Sequence, residues 1–529
     1  MIGQKQSRYI QIHSMLFAFL CAFLILSLCS RSSFLYPFNI WDDVNSYFTM
    51  GKSMMRGMVP YRDLFDQKGI LLYFLYGIGY LMSHTTFGGV FIMEVIAGSI
   101  SVRMILYILK LYVSDTIAYV LAPITFALMC SSRSFYWGGS AEEFLLPALL
   151  VGLFLMLRYF RERFPAPVAY RDVFLGGLMA GIVFHIKFNS LGFYLGWAFM
   201  VMLADLNYEL AVSENKSVPI ARIRKILFDA VVFLSGMLAI TLPFAVYFGI
   251  HGAVDDWVRV YLYDNLFIYS ESLPFGTRVY QMCRVILSHV FSNWQFSYLI
   301  LFGMAVGLIL VLCKRSKSAM LQYVSAVIMA ACLLTIIFIG GRDLPYYPYP
   351  VSAFTVVGTT AVGVLLQSVI DKRKEMKSSK YMSCALAGVG MLVSVGIVFL
   401  TSLNIQDIGM AKEDLWLFRM RDIIAVSGIE EPKLINLNCF DAGLYTVTDT
   451  VPGCYYFQTQ TIPIKGIWET QKDYVKAGEP DFVLIRDSAM DFAYEGYEII
   501  AEEKQEISGN LYWFILYQKM TGEYRNVVQ

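Results

Sequence analysis

The sequence predicts a polytopic all-α membrane protein that ends in a small α/β domain, and three observations carry that expectation. First, 57% of its 529 residues are hydrophobic and only 16% charged, whereas soluble chains carry about a quarter charged residues. Second, the charge is gathered between long apolar runs rather than spread along helix faces. Third, the composition changes after residue 402 to a soluble pattern. A soluble enzyme is excluded on these grounds, and a net charge of +1 predicts no affinity for nucleic acid.

Apolar runs of spanning length, about 17 to 25 residues, occur near 10–29, 87–110, 116–133, 143–160, 226–250, 294–313, 319–340, 349–370 and 381–402. The run 173–206 is long enough for a hairpin of two short helices. Leu16 to Leu28 follows Lys5 and Arg8 and has no small-residue cleavage site after it, so it reads as the first span rather than a cleaved signal. Ile70 to Ser83 is too short to span comfortably, and the charge distribution tests it.

Lys and Arg accumulate in short cytoplasmic loops. The basic clusters are Arg158, Arg161, Arg163 and Arg171; Lys216, Arg222, Arg224 and Lys225; Lys314, Arg315 and Lys317; and Lys372, Arg373, Lys374, Lys377 and Lys380. All fall on the side of Lys5 and Arg8 if Ile70–Ser83 lies on the membrane surface, and all fall on the opposite side if it spans. The expectation is therefore eleven spans, a cytoplasmic N-terminus, a transmembrane domain over 1–402 and an extracytoplasmic α/β domain over 403–529. Segments 30–86, 134–142, the turn near Lys187, 251–293 and 341–348 then face outward. Within the tail, Lys412–Val426 has helical character, and Lys433–Asn438, Asp481–Ile485, Tyr497–Ala501 and Leu511–Tyr517 are β-rich.

None of the nine cysteines has metal-ligand spacing. Cys439 and Cys454 lie in the polar tail, where a bridge is as open as two free thiols.

The residues suited to chemistry cluster in the first outward loop. Asp42 and Asp43 precede the helical stretch Val44–Arg56, and Asp63, Asp66 and Lys68 follow within the same loop. Taken singly, an Asp-Asp pair is most simply a helix start in a favourable dipole, and Lys68 an interfacial lysine. Their coincidence with Gly57-Met-Val-Pro60-Tyr61 and an aromatic surface helix invites a chemical reading.

The loop resembles a known family at this point. Asp-Asp after the first helix, then Gly-x-x-Pro-Tyr-Arg-Asp-x-Phe-Asp-x-Lys-Gly before Leu-Leu-Tyr, is similar to the GT-C membrane glycosyltransferases, above all the polyprenyl- or dolichyl-phosphate-sugar mannosyltransferase and aminoarabinose transferase group. The resemblance implies that Asp42 is the catalytic base, with Asp43 beside it, and that Lys68 contacts the lipid phosphate; Gly69-Ile70 replaces the double proline of that group. It also implies a second-loop carboxylate, matched by Glu142 and Glu143 in Gly138-Gly-Ser-Ala-Glu-Glu, which equally suit a plain helix start. Lys187 is implied to line the donor pocket, and Arg342, within Gly340-Gly-Arg-Asp-Leu-Pro-Tyr-Tyr-Pro-Tyr-Pro350, to be a further phosphate cation. That loop is otherwise an aromatic belt. His185 reads as a satisfied interior histidine, and 251–293 as an interfacial amphipathic helix.

The expected activity is inverting transfer of a sugar from a polyprenyl-phosphate donor to a cell-envelope acceptor, whether glycan, teichoic-type polymer, lipid or protein. Fixed cations can neutralise a monophosphate, so no cofactor is required, although the carboxylates leave room for a divalent cation. The competing expectation is a transporter or flippase of lipid-linked glycans, in which the same charges would line a path. Charge concentrated in outward loops, and the lack of an evident inverted repeat, favour the enzyme.

Overall fold

A computed structural model describes residues 2–207, 218–269, 273–372, 380–487, 496–507 and 509–520. Lys216 and residues 373–379, which belong to two of the basic clusters, lie outside the described residues.

The chain is helical up to residue 401. Among the described residues nine stretches are long and apolar enough to cross a membrane, and Ile70–Met82 and Asp115–Cys130 are shorter apolar helices. The stretch Tyr170–Asn207 is divided by a 3-10 turn at Phe188–Leu191 into helices Tyr170–Lys187 and Gly192–Asn207, as expected of a hairpin. At 1.5 Å per residue, the 13 residues of Ile70–Met82 reach about 20 Å, short of the roughly 30 Å hydrocarbon core. Helix Val218–Ile250 leaves a row of large apolar side chains exposed, among them Ile223, Leu227, Leu234, Leu238 and Leu242. Such a stripe is stable against lipid and costly against water.

The helices and the tail form two compact units. The first comprises residues 1–30, 93–244 and 271–406; the second comprises 31–92, 245–270 and 407–529. The tail is thus grouped with the first loop, a different division from a single boundary at 402/403, because the loop's polar side chains find their partners in the tail.

Within the second unit the tail holds a four-stranded sheet: β1 (Leu434–Asn436), β2 (Phe482–Arg486), β3 (Tyr497–Ile507) and β4 (Asn510–Lys519), in the order β1-β2-β4-β3. β1 pairs parallel with β2, and the other pairs are antiparallel, with Leu484 opposite Leu516. Helix Ile467–Lys476 covers a core of Ile435, Leu437, Cys454, Val475, Val483 and Ile485, while Trp416, opening helix Trp416–Val426, stacks on Phe514 at 3.7 Å. Cys439 and Cys454 are both buried free thiols. Burial pushes the first up to about 12 and the second to about 11, so both behave as packing residues rather than as a bridge.

Segment 251–293 is more broken than a single amphipathic helix. It comprises Val254–Trp257, a π-helical stretch Val258–Ile268 and helix Phe275–Ser292.

Candidate active site

Helix Asp42–Met55 begins at the end of an extended residue, Trp41, which makes no side-chain cap. Asp42 and Asp43 therefore occupy its first turn with their carboxylates directed elsewhere. Asp42 receives Arg486, at the end of β2, through one guanidinium nitrogen at 3.0 and 3.1 Å from its two oxygens. Asp43 accepts a hydrogen bond from the Tyr47 hydroxyl at 3.0 Å, and the Lys68 ammonium stands 3.8 Å from the same oxygen. Lys68 also lies over the Tyr47 ring, 5.4 Å from its centre.

The loop that carries Lys68 is fixed by tyrosines. Tyr61 is buried, has φ of 71° and donates its hydroxyl to the Lys68 carbonyl at 2.6 Å. A left-handed backbone costs a tyrosine on the order of 1 kcal/mol or more. It persists here because Tyr61 packs against Tyr73, Phe248 and Tyr261. Tyr73 in turn accepts from the Lys68 amide at 2.9 Å and donates to Asp66 at 2.8 Å. Helices Asp42–Met55 and Ile70–Met82 meet through glycines: a Cβ on Gly51 would stand 2.5 Å from the Gly77 nitrogen.

Asp42, Asp43, Asp66 and Lys68 thus line one cleft, with Phe440 and Gln458 of the tail on its other side. The enclosed space is only about 10 Å³, room for about one water. Burial pushes the Asp42 carboxyl up to about 6, further raised by Asp43 and Asp441 and opposed by Arg486. Burial also raises Asp66, against the nearby Lys68.

Beneath the cleft, the tail is bound to the helix by a buried polar network. Thr49 donates to Asp441 at 2.6 Å, the Gln458 amide donates to Ser46 at 2.6 Å, and the Lys52 ammonium donates to the Tyr445 carbonyl at 2.6 Å. Burial brings Lys52 down to about 7, with Asp449 and Asp441 opposing.

The other expected residues fall in the first unit. Gly138 and Gly139, at φ of 80° and 79°, turn the chain into Ser140, whose hydroxyl accepts the Glu143 amide at 3.0 Å. The Glu143 carboxylate reaches back to the Gly139 amide at 2.8 Å, a reciprocal cap. Glu142 forms a buried ion pair with Lys187, and the Lys187 ammonium also sits 4.1 Å from the Tyr347 ring centre and 5.2 Å from that of Tyr346. The loop containing Arg342 therefore reaches Lys187 through its tyrosines; Arg342 itself is half-buried, beside Asp343, which is bonded by His289 at 2.7 Å. His185 is buried and paired with Thr241 at 2.9 Å, the interior role expected of it. Glu94, given no role by the sequence, accepts from Ser30 at 2.8 Å and lies against Glu143.

No protein-family model matches the sequence, and no curated protein matches it significantly. Solved structures do match. ArnT from Cupriavidus metallidurans, crystallised bound to undecaprenyl phosphate, aligns with a TM-score of 0.59 at 11% identity over 97% of this chain and 98% of its own. Its apo form aligns at 0.59 and 10% identity, over 95% and 97%. The fold is that of ArnT. At this identity the likeness to ArnT is one of fold, and it spans nearly the whole length of both chains. The oligosaccharyltransferase AglB from Archaeoglobus fulgidus also aligns, at a TM-score of 0.41 and 13% identity over 90% of this chain and 69% of its own, a likeness too distant to carry an argument.

Proposed function

We propose that this chain is an inverting glycosyltransferase that moves a sugar from a polyprenyl-phosphate donor to a cell-envelope acceptor on the extracytoplasmic face of the membrane. The observation that carries the reading is the meeting of Asp42, Asp43 and Lys68 in one cleft at the start of the first helix after the first span. ArnT, whose fold this chain shares, binds undecaprenyl phosphate, which supports a lipid-phosphate donor.

Asp42 takes the proton of the acceptor hydroxyl as that oxygen attacks the anomeric carbon. The bond from that carbon to the phosphate oxygen breaks, and polyprenyl phosphate departs with inversion. With its proton affinity raised to about 6, Asp42 is largely ionised at neutral pH yet basic enough to accept a proton, the range in which general-base catalysis works best. Lys68 stabilises the phosphate charge as it develops. Asp42 and Asp43 already face the cations Arg486 and Lys68, and fixed cations can neutralise a monophosphate, so the step is written without requiring a divalent cation. The cleft is narrower than a sugar, so the donor must seat against its open side.

The test is reconstitution with radiolabelled undecaprenyl-phosphate pentoses and hexoses and membrane acceptors. Asp42→Asn should slow transfer by on the order of 10² to 10⁴ while leaving the fold and undecaprenyl-phosphate binding intact; unchanged transfer removes Asp42 from the mechanism. Movement of intact lipid-linked glycan across vesicles without sugar transfer would favour a flippase instead.

A further inference from the structure

Arg486 approaches Asp42 from a part of the chain with no family motif. It ends β2, where pairing with Phe514 on β4 fixes its backbone. Its guanidinium lies near the rings of Phe440 and Tyr512, 5.8 and 5.3 Å from their centres, and is held so that one nitrogen bridges both Asp42 oxygens. A flexible surface arginine would not be largely buried beside two rings and anchored on an inner strand of the sheet. The carboxylate it grips opens a helix within a cleft that also contains Lys68.

We propose that Arg486 is a positioning residue for Asp42: the tail domain reaches into the catalytic cleft to hold the base ionised and in one orientation. The inference rests on the glycosyltransferase reading for its catalytic meaning, but the pairing itself has an independent readout. The charged and titratable groups around the pair are Asp43 on the same helix, Asp66 and Lys68 on the following loop, Asp441 and Cys439 on the tail loop, and Tyr512 on β4. Burial, and after it Asp43 and Asp441, push Asp42 toward its neutral form, and Arg486 is the cation bonded to it directly. A cation at such range lowers a carboxyl by about one to three units. Removing it should therefore let Asp42 hold its proton to higher pH.

The experiment uses the full chain in detergent or proteoliposomes. A water-soluble carbodiimide, which modifies protonated carboxyls, is applied across pH 4.5 to 8.5, and adduct at Asp42 is quantified by peptide mass. The wild-type midpoint is expected near pH 6. Arg486→Met should raise it by about one unit or more, with Arg486→Lys between the two, and the acid limb of transfer should move in parallel. Circular dichroism and melting confirm that each variant is folded; if Arg486→Met does not fold, the milder Arg486→Lys still carries the comparison. An unmoved midpoint in a folded variant overturns the proposal. If instead Asp42→Asn retains transfer while the midpoint moves as expected, the pairing stands and the catalytic reading fails.

Discussion

The proposed roles of the cleft residues can be tested one residue at a time. If Asp42 is the base, transfer should fall as pH drops through about 6, because protonation removes the acceptor of the proton; a profile flat from pH 8 to 5 would contradict it. Asp42→Asn should cost on the order of 10² to 10⁴ in rate, the usual worth of a positioned base. Lys68→Gln should weaken undecaprenyl-phosphate binding about tenfold or more, the worth of a charge-assisted hydrogen bond, measured by intrinsic fluorescence titration. Asp42, Asp43 and Lys68 were legible in the sequence because they lie within one loop and share a motif. Arg486 was not, since it lies 444 residues beyond its partner and ends an ordinary apolar strand. Glu142 and Glu143 show how local reading divides: Glu143 caps its own helix, the simple expectation, while Glu142 found a partner 45 residues on in Lys187.

Elements were legible where one strong physical signal defined them. Apolar length marked the long helices, and Ile70–Met82 stood out because it was too short. The tail strands were marked by β-branched and aromatic runs, although β3 extends to Ile507 through Glu- and Lys-bearing positions that conceal it. Helix Ile467–Lys476 escaped notice: it buries only Ile467, Gln471 and Val475, a narrow stripe at four-residue spacing, one member of it polar. Gln471 is buried because it bonds the Tyr456 carbonyl and the Asn438 amide, at 2.8 and 2.9 Å, a tertiary use no pattern shows. The glycine contact between Asp42–Met55 and Ile70–Met82 is an element-level device that can be broken. Gly51→Val would drive a side chain into the backbone of Tyr73 and Gly77 and should destabilise by about 1 to 3 kcal/mol, lowering the melting temperature and displacing Lys68. An unchanged melting temperature and activity would mean the helices part without consequence.

At the scale of the molecule, the second unit depends on buried charge. Lys52 ionises near 7 in the folded chain against 10.5 for an ordinary lysine, so between those values the unfolded chain binds more protons than the folded one. Stability must then rise with pH across that window, and the full cost of the buried ammonium is felt below about 7. Lys52→Met should flatten this slope between pH 7 and 9 in thermal melts; an equally steep slope would place the cause elsewhere. Composition alone could not disclose the grouping of 31–92 and 245–270 with 407–529, because it records the tail's solubility and not what the tail binds.

The order in which these pieces are synthesised has a consequence for biogenesis. The partners of Thr49 and Lys52 come 392 and 393 positions later, so a ribosome must finish almost the entire chain before the first loop can close. A message cut short near residue 405 would yield a protein whose apolar helices could all insert, but whose Asp42 segment would never acquire its other wall.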